Sequence, residues 1–140
     1  MADSLPTSLD EYCRVFHISF FDVKLQCVFC KHFINLQELA DFYSKHLSLI
    51  WKGCLCFGSC NACLRLIAKF ELENHFQCSV RGIFLEDLVN KKLKNIIVRC
   101  MVCYKLLDYM EKFDCCCRNL DFVLVRGHWR NICRLCMKKI

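Results

Sequence analysis

The sequence contains little proline and glycine: one proline and four glycines occur in 140 residues. This composition argues against a disordered chain and against long flexible linkers. The first residues, MADSLPTSLDEY, carry acidic side chains and no apolar core segment, so they do not have the pattern of a secretory signal peptide. No segment approaches the ~20 apolar residues of a membrane-spanning helix. We therefore expect no membrane attachment and a reducing compartment, in which thiols stay free to bind metal.

Recognised catalytic patterns are also absent. The chain has no Gly-rich phosphate-binding loop and no nucleophile motif, and its five histidines show no spacing that marks a general base. The short interleaved cysteine spacings of a RING ubiquitin ligase are missing as well. We therefore predict that the protein is not an enzyme.

Cysteine, in contrast, is abundant, with 15 residues in the chain, far above ordinary usage. Eight of them form four C-x2-C pairs, which are separated by 29, 36 and 29 residues. The pairs are Cys27 and Cys30, Cys60 and Cys63, Cys100 and Cys103, and Cys133 and Cys136. The second half of the chain therefore repeats the first at an offset of 73 residues, from Cys27 to Cys100.

This pattern predicts two structural zinc sites, because zinc takes four tetrahedral ligands and thiolate sulfur suits it. The first two pairs would hold one Zn²⁺ and the last two pairs a second. Iron–sulfur ligation and disulfide bonding are the alternatives. A half-chain of roughly 70 residues is too small for a generous core, so each half needs such a cross-link.

The repeat extends to the signals that begin helices. Asn35 with Glu38, and Asp108 with Glu111, each have the spacing of a capping box and follow a C-x2-C pair at the same distance. They predict helices over 36–46 and 109–117. Ser8 and the acid three residues later predict a helix over 9–16. Apolar periodicity predicts a long helix over 61–73 and a short linker helix over 83–89.

Runs of branched and aromatic residues that end at a glycine predict strands over 47–51 and 120–125, with a return strand from His128. The fold class is thus α+β, with two small zinc-binding domains. We divide the chain into an N-terminal arm and first zinc domain over 1–78, a linker helix over 79–95 and a second zinc domain over 96–140.

Seven cysteines remain outside the two zinc sites. They are Cys13, Cys54, Cys56, Cys78, Cys115, Cys116 and Cys117. We expect them to behave as small buried apolar residues. Exposed, oxidisable thiols in the C-C-C run are the alternative.

The formal net charge of +6 is compatible with an acidic peptide or a nucleic acid as partner. A specific nucleic-acid reader concentrates its cations on one element. Here the lysines and arginines are dispersed along the chain. Direct nucleic-acid binding is therefore the second functional hypothesis, and a solvated basic surface is the simplest explanation of the charge.

The complete cysteine spacing resembles that of the early protein six of papillomaviruses, a family of small zinc-binding viral oncoproteins. The context agrees at two places: the third pair has the form VRC-x2-C, with Cys100 as its first cysteine, and RGHW ends four residues before Cys133. The resemblance covers nearly the whole chain. It implies that each zinc domain has a three-stranded sheet with short helices, and that the two domains and the linker helix enclose a groove.

The resemblance also implies a function. The family's groove grips short helical LxxLL peptides, usually acidic, from host proteins. Members thereby recruit a HECT-type ubiquitin ligase or bind Mastermind-like Notch coactivators, and so alter transcription, apoptosis and host defence. We therefore expect a non-enzymatic adaptor in the host nucleus and cytoplasm, with weak nucleic-acid binding and dimerisation through the N-terminal domain as further expectations.

The apolar residues that match groove-lining positions relative to the cysteine pairs are Leu47, Ile50, Trp51, Leu64, Ile67 and Phe70. Taken one by one, each is better explained as an ordinary core residue, and it is the resemblance that favours a role in the groove. The cations at matching positions are Lys52, Arg99 and His128. Lysine and histidine cannot form the planar bidentate fork of arginine, so we expect an altered choice of peptide.

The C-terminal residues MKKI place Lys138 where PDZ ligands have serine or threonine. We therefore expect no binding to PDZ domains. This ending is more typical of a cutaneous than of a strongly transforming mucosal member, which favours the Mastermind-like route.

Overall fold

The structure is a computed structural model that describes residues 5–138. The chain divides into two compact units, Met1–Leu64 and Arg65–Ile140. Within the described residues, the helices are too short and too polar to cross a membrane. The domain boundaries predicted after residues 78 and 95 stay predictions.

Over its described residues, the first unit contains two complete helices, the start of a third and a small sheet. The elements are α1 (Leu9–Val15), β1 (Gln26–Cys27), α2 (Leu36–Ser44), β2 (Ile50–Lys52), β3 (Leu55–Gly58) and the start of α3 (Asn61–Asn74). The sheet order is β1-β3-β2, with β1 parallel and β2 antiparallel to β3. Leu9, Leu39 and Phe42 bring α1 and α2 into one core beneath this sheet.

The second unit repeats this plan with additions. Its elements are β4 (Phe76–Val80), α4 (Gly82–Val89), β5 (Val98–Cys100), α5 (Tyr109–Cys117), β6 (Phe122–Val125), β7 (His128–Asn131) and α6 (Arg134–Met137). The sheet order is β4-β6-β7-β5, with β5 parallel to β7 and the other pairs antiparallel. The core includes Leu85, Val98, Leu107 and Phe122.

The predicted fold class, α+β with two small zinc-binding domains, is confirmed. The first sheet has three strands, as expected, and the second has a fourth strand, β4, which pairs with β6. Two of the three predicted capping boxes form, at the starts of α2 and α5. At α1 the Ser8 side chain accepts the backbone N–H of Glu11, which is one half of the box. Gly53 and Gly127 turn the two hairpins with φ of 65° and 77°, a conformation that glycine adopts without steric cost.

Three predicted elements differ from the structure by two or more residues at one end, and one of them is the strand predicted over 120–125, which begins at Phe122. The helix predicted over 36–46 ends at Ser44, because His46 takes a positive φ of 55° and leaves the helix. The strand predicted over 47–51 begins only at Ile50, since the backbone N–H of Leu49 donates to Thr7 O at 2.7 Å instead of to the sheet.

Candidate metal centres and peptide-contacting surfaces

Each half of the chain brings its four repeated cysteines together. In both clusters the four Sγ atoms all lie within 4.8 Å of one another. The Sγ atoms of Cys30 and Cys60 are 3.8 Å apart, and so are those of Cys103 and Cys133. Zinc–sulfur bonds of about 2.3 Å in a tetrahedron place the sulfurs about 3.8 Å apart. Both clusters therefore fit Zn²⁺, and the prediction of two structural zinc sites is confirmed.

The first pair of each cluster lies in a tight turn after a short strand. Lys31 N donates to Cys27 O at 2.9 Å, and Tyr104 N donates to Cys100 O at 3.0 Å. Lys31 and Tyr104 have positive φ values of 66° and 67°, which turn the chain back toward the sheet. The two turns are thus the same structure at the repeat offset.

The second pair of each cluster lies at the start of a helix. Cys60 and Cys63 precede and enter α3, and Cys133 and Cys136 do the same at α6. The capping-box glutamate of the preceding helix contacts this start in both halves. Glu38 Oε2 accepts from Asn61 N at 3.0 Å, and Glu111 Oε2 accepts from Arg134 N at 2.9 Å.

The thiols in each cluster differ in acidity. A hydrogen bond with Cys103, against the opposing effect of burial, lowers the pKa of Cys100 to about 4, and the same bond raises the pKa of Cys103. In the first cluster burial acts to raise the pKa of Cys27, but backbone hydrogen bonds prevail and lower it to about 7. The lowered pKa values of Cys100 and Cys27 favour their thiolate forms. The remaining ligands lose their protons as the metal binds, because zinc takes thiolate.

The seven other cysteines have different environments. Cys115 is fully buried, donates its thiol to Ile132 O at 3.4 Å, and has its pKa raised to about 11 by burial. Cys54 and Cys117 are exposed, so the expectation of burial is wrong for these two. Cys54 lies in the turn between β2 and β3, and Cys117 is the last residue of α5, so both are where the chain leaves the core. Cys13, Cys56, Cys78 and Cys116 are half-buried.

The predicted peptide-contacting residues of β2 lie on two faces of the first sheet. Side chains alternate along a strand, so Ile50 and Lys52 share one face and Trp51 lies on the other. Trp51 packs against Tyr12 and Phe16 of α1, with ring centroids 6.3 and 6.4 Å away. Its indole Nε1 donates to Pro6 O at 2.7 Å. Trp51 lines a cavity of about 360 Å³ together with Leu55 and Phe57 of β3, whereas Ile50 and Lys52 do not line it.

Residues of β3 extend the face that carries Ile50 and Lys52. Phe57 pairs with Ile50, and Leu55 pairs with Lys52. Sequence reasoning missed both residues, although alternation along LCFG after the hairpin glycine was a usable signal. Leu47 is half-buried and packs against the core of the first unit.

The predicted residues of α3 differ in exposure. Leu64 is buried, Ile67 is half-buried and Phe70 is exposed. With about 100° per residue, Phe70 lies about 120° around the helix from Leu64. Its ring contacts His75, with centroids 5.9 Å apart. Leu64 is thus a core residue, while Ile67 and Phe70 have accessible surface.

In the second unit the structure brings Arg99 and His128 to one cavity of about 230 Å³, together with Ile97 and Trp129. Arg99 donates to Tyr104 O at 2.9 Å, and burial, with a smaller contribution from the charge of Arg130, lowers the pKa of its guanidinium. Arg130 also lines this cavity and was not predicted from the sequence. It lies opposite Arg99 on the neighbouring strand β7, a pairing that only the fold shows.

Two tetracysteine centres, each on a small α+β unit and repeated within one chain, define a duplicated structural zinc protein. A family model described as Early Protein (E6) matches residues 27–136. Curated relatives named Protein E6 cover the whole chain. Those of human papillomavirus 65 and human papillomavirus 4 are both 48% identical over 139 residues, or 99% of each chain. The chain belongs to the papillomavirus E6 family.

A third relative, Protein E6 of human papillomavirus type 60, is 48% identical over 137 residues, which are 98% of this chain and 96% of the relative. Among solved structures, the C-terminal zinc-binding domain of HPV51 oncoprotein E6 matches with 29% identity and a TM-score of 0.42. That match covers 44% of this chain and 82% of the solved one.

Proposed function

We propose that the protein is a non-enzymatic viral adaptor that binds acidic LxxLL helical peptides of host proteins. Its partners would be a HECT-type ubiquitin ligase or Mastermind-like Notch coactivators, and its effects would fall on transcription, apoptosis and host defence. It would act in the host nucleus and cytoplasm.

The observation that carries this proposal is the cavity that Arg99 and His128 line with Ile97 and Trp129. An acidic amphipathic peptide needs cations beside an apolar surface, and this cavity supplies both. The exposed face of the first sheet, with Ile50, Leu55 and Lys52, supplies a second surface of the same kind.

The three predicted cations, Lys52, Arg99 and His128, predict a different peptide preference from that of a site with arginine at all three positions. Arg99 already donates to Tyr104 O, so part of its fork is used within the protein. His128 is exposed and lacks the bidentate geometry of arginine. We therefore propose that the bound peptide carries fewer acids than an arginine-rich site would select.

The test is a titration of zinc-loaded protein with two labelled LxxLL peptides, one from a HECT-type ligase and one from a Mastermind-like coactivator. Arg99→Ala and Ile50→Ala should each weaken binding by about tenfold or more, equivalent to about 1.4 kcal/mol. Leu135→Ala, an exposed residue of α6, is the matched control and should bind as the wild type does. Equal affinity in all variants would contradict the proposal.

The same preparation tests the second hypothesis, direct nucleic-acid binding. Failure of both peptides to bind, together with sequence-selective DNA binding that survives physiological salt, would favour it. Affinity that falls steeply with salt and shows no sequence preference would indicate charge attraction alone.

We further propose that the protein does not bind PDZ domains and that it associates through its N-terminal domain. The expected absence of a PDZ ligand concerns the C-terminal residues, of which 139–140 lie outside the described part of the chain.

A further inference from the structure

A second apolar cavity, which shares no residue with the proposed peptide contacts, lies between α4 and α5 of the second unit. Its volume is about 440 Å³, within the ~300–1,000 Å³ range of small-ligand pockets. Ile83 of α4 and Tyr109 and Phe113 of α5 form its walls. A space of this size accommodates one or two bulky side chains of a partner.

The walls of this α4–α5 cavity are unusually exposed for large apolar residues. The exposed fractions are 70% for Ile83, 49% for Tyr109 and 47% for Phe113. The rings of Tyr109 and Phe113 contact each other with centroids 6.2 Å apart, so the aromatic wall is continuous. Contiguous exposed apolar surface of this kind marks interaction sites.

The cavity is held in shape by contacts beneath it. Gly82, at the start of α4, approaches Cys116 of α5 so closely that a Cβ on Gly82 would lie 2.5 Å from the Cys116 Sγ. The buried Lys112 donates its ammonium to Ile96 O at 2.8 Å and to Lys94 O at 3.3 Å. These contacts fix both the helices and the loop at the rim, so little ordering is needed when a ligand binds.

The rim of the cavity is positively charged. Lys92 and Lys94 line it, and among residues 5–138 neither ammonium has an ion-pair partner. The one acid in the lining, Glu86, already accepts the backbone N–H of Leu93 at 2.9 Å. Apolar walls with two unpaired cations at the rim favour an acidic occupant.

We propose that the α4–α5 cavity binds a short acidic segment of a partner protein. One bulky apolar side chain of that segment inserts between Ile83 and Phe113, and its carboxylates face Lys92 and Lys94. This site is independent of the proposed LxxLL contacts, so it would allow the adaptor to hold a second protein at the same time.

The test begins with selection of a random displayed peptide library on the zinc-loaded protein. Counter-selection uses the double variant Phe113→Ser with Lys92→Glu, which leaves the other surfaces unchanged. Both positions are exposed, and an unchanged content of two zinc ions verifies that the variant is folded. Recovered peptides should be acidic and should carry a bulky apolar residue.

The affinity of a recovered peptide is then measured by fluorescence anisotropy. Phe113→Ser alone and Lys92→Glu with Lys94→Glu should each weaken binding by about tenfold or more. Lys69→Glu, an exposed lysine of α3, is the charge-matched control, and Leu135→Ser is the apolar control; both should bind normally.

Three results would overturn the proposal. One is that the recovered peptides are neutral or basic, or that they bind the double variant as well as they bind the protein. The second is equal affinity across all variants. The third is a dimer in sedimentation experiments that Phe113→Ser converts to a monomer, which would identify a second copy of the chain as the occupant.

Discussion

The Glu111 carboxylate accepts the backbone N–H of Arg134, with Oε2 2.9 Å from the nitrogen. Glu111 is also the capping-box acid of α5, where Oε1 accepts from Asp108 N at 3.0 Å. One side chain therefore links α5, the helix after the third cysteine pair, to Arg134, which lies within the fourth cysteine pair. Glu38 makes the equivalent bond to Asn61 N in the first half.

The two glutamates predict unequal losses of stability. The side chain of Glu111 is 1% exposed and also pairs with Lys105 at 2.9 Å, whereas Glu38 is half-buried. Glu111→Gln should lower the free energy of unfolding by about 2–4 kcal/mol, because the half-buried Lys105 loses its ion pair and a backbone donor loses its acceptor in a buried site. Glu38→Gln should cost about 1–2 kcal/mol, since water reaches its site.

Denaturant unfolding of the two zinc-loaded variants measures this difference. Chelator-driven zinc release provides a second readout, and Glu111→Gln should release the second zinc faster than wild type does. Equal stability losses, or a zinc release rate unchanged by Glu111→Gln, would show that this carboxylate does not position the cysteine pair.

Zinc itself is predicted to be required for each unit to fold. Structural zinc contributes about 10–16 kcal/mol in small peptides, which exceeds the ~5–15 kcal/mol stability of a typical domain. Cys63→Ser should therefore unfold the first unit and reduce the zinc content from two ions to one. Cys136→Ser is the matched change in the second unit. Cooperative melting of the first unit with full zinc content in Cys63→Ser would contradict the assignment.

Trp51 is predicted to stabilise the first unit and to leave peptide binding unchanged. Trp51→Phe removes the hydrogen bond to Pro6 O but keeps the aromatic contact with α1, so it should cost about 1 kcal/mol. Trp51→Ala also removes the packing and should cost about 2–3 kcal/mol. LxxLL peptide affinity, measured beside Ile50→Ala, should stay at the wild-type value in both. A loss of peptide affinity in Trp51→Phe would contradict this prediction and show that Trp51 contacts the bound peptide.

The sequence predicted the features whose signals are local. The helix predicted over 109–117 is α5 (Tyr109–Cys117), because its capping box lies within one turn of its start. The metal ligands could also be predicted from the sequence, because repeated C-x2-C spacing indicates a shared metal ion without knowledge of the fold.

Features that depend on long-range pairing were missed. β4 pairs with β6, from Phe76 opposite Val125 to Val80 opposite Phe122. Its sequence FQCSV alternates apolar and polar residues, but nothing local to it indicates a partner strand so far along the chain. The opposite faces of Ile50 and Trp51 could have been predicted, because neighbouring residues alternate along any strand. The packing of Trp51 against Tyr12 of α1 could not, because the two residues are far apart in the sequence.

The approach of Gly82 to Cys116 predicts a steric requirement for glycine. A Cβ at Gly82 would lie 2.5 Å from the Cys116 Sγ and 3.3 Å from its Cα. Gly82→Ala should therefore force α4 away from α5 and lower the free energy of unfolding by about 1–3 kcal/mol. Cys116→Ala removes the sulfur but not the backbone atom, so the double variant should regain part of the loss.

A double-mutant cycle in thermal or denaturant unfolding isolates this contact. Gly82→Ala should lower the free energy of unfolding less in the Cys116→Ala variant than in the wild type, because the Cys116 sulfur is no longer in the way. Strictly additive losses would mean that the two helices adjust freely and that Gly82 is not needed for their close approach. The same adjustment would leave the α4–α5 cavity without a fixed shape, so the cycle also tests whether its walls are rigid.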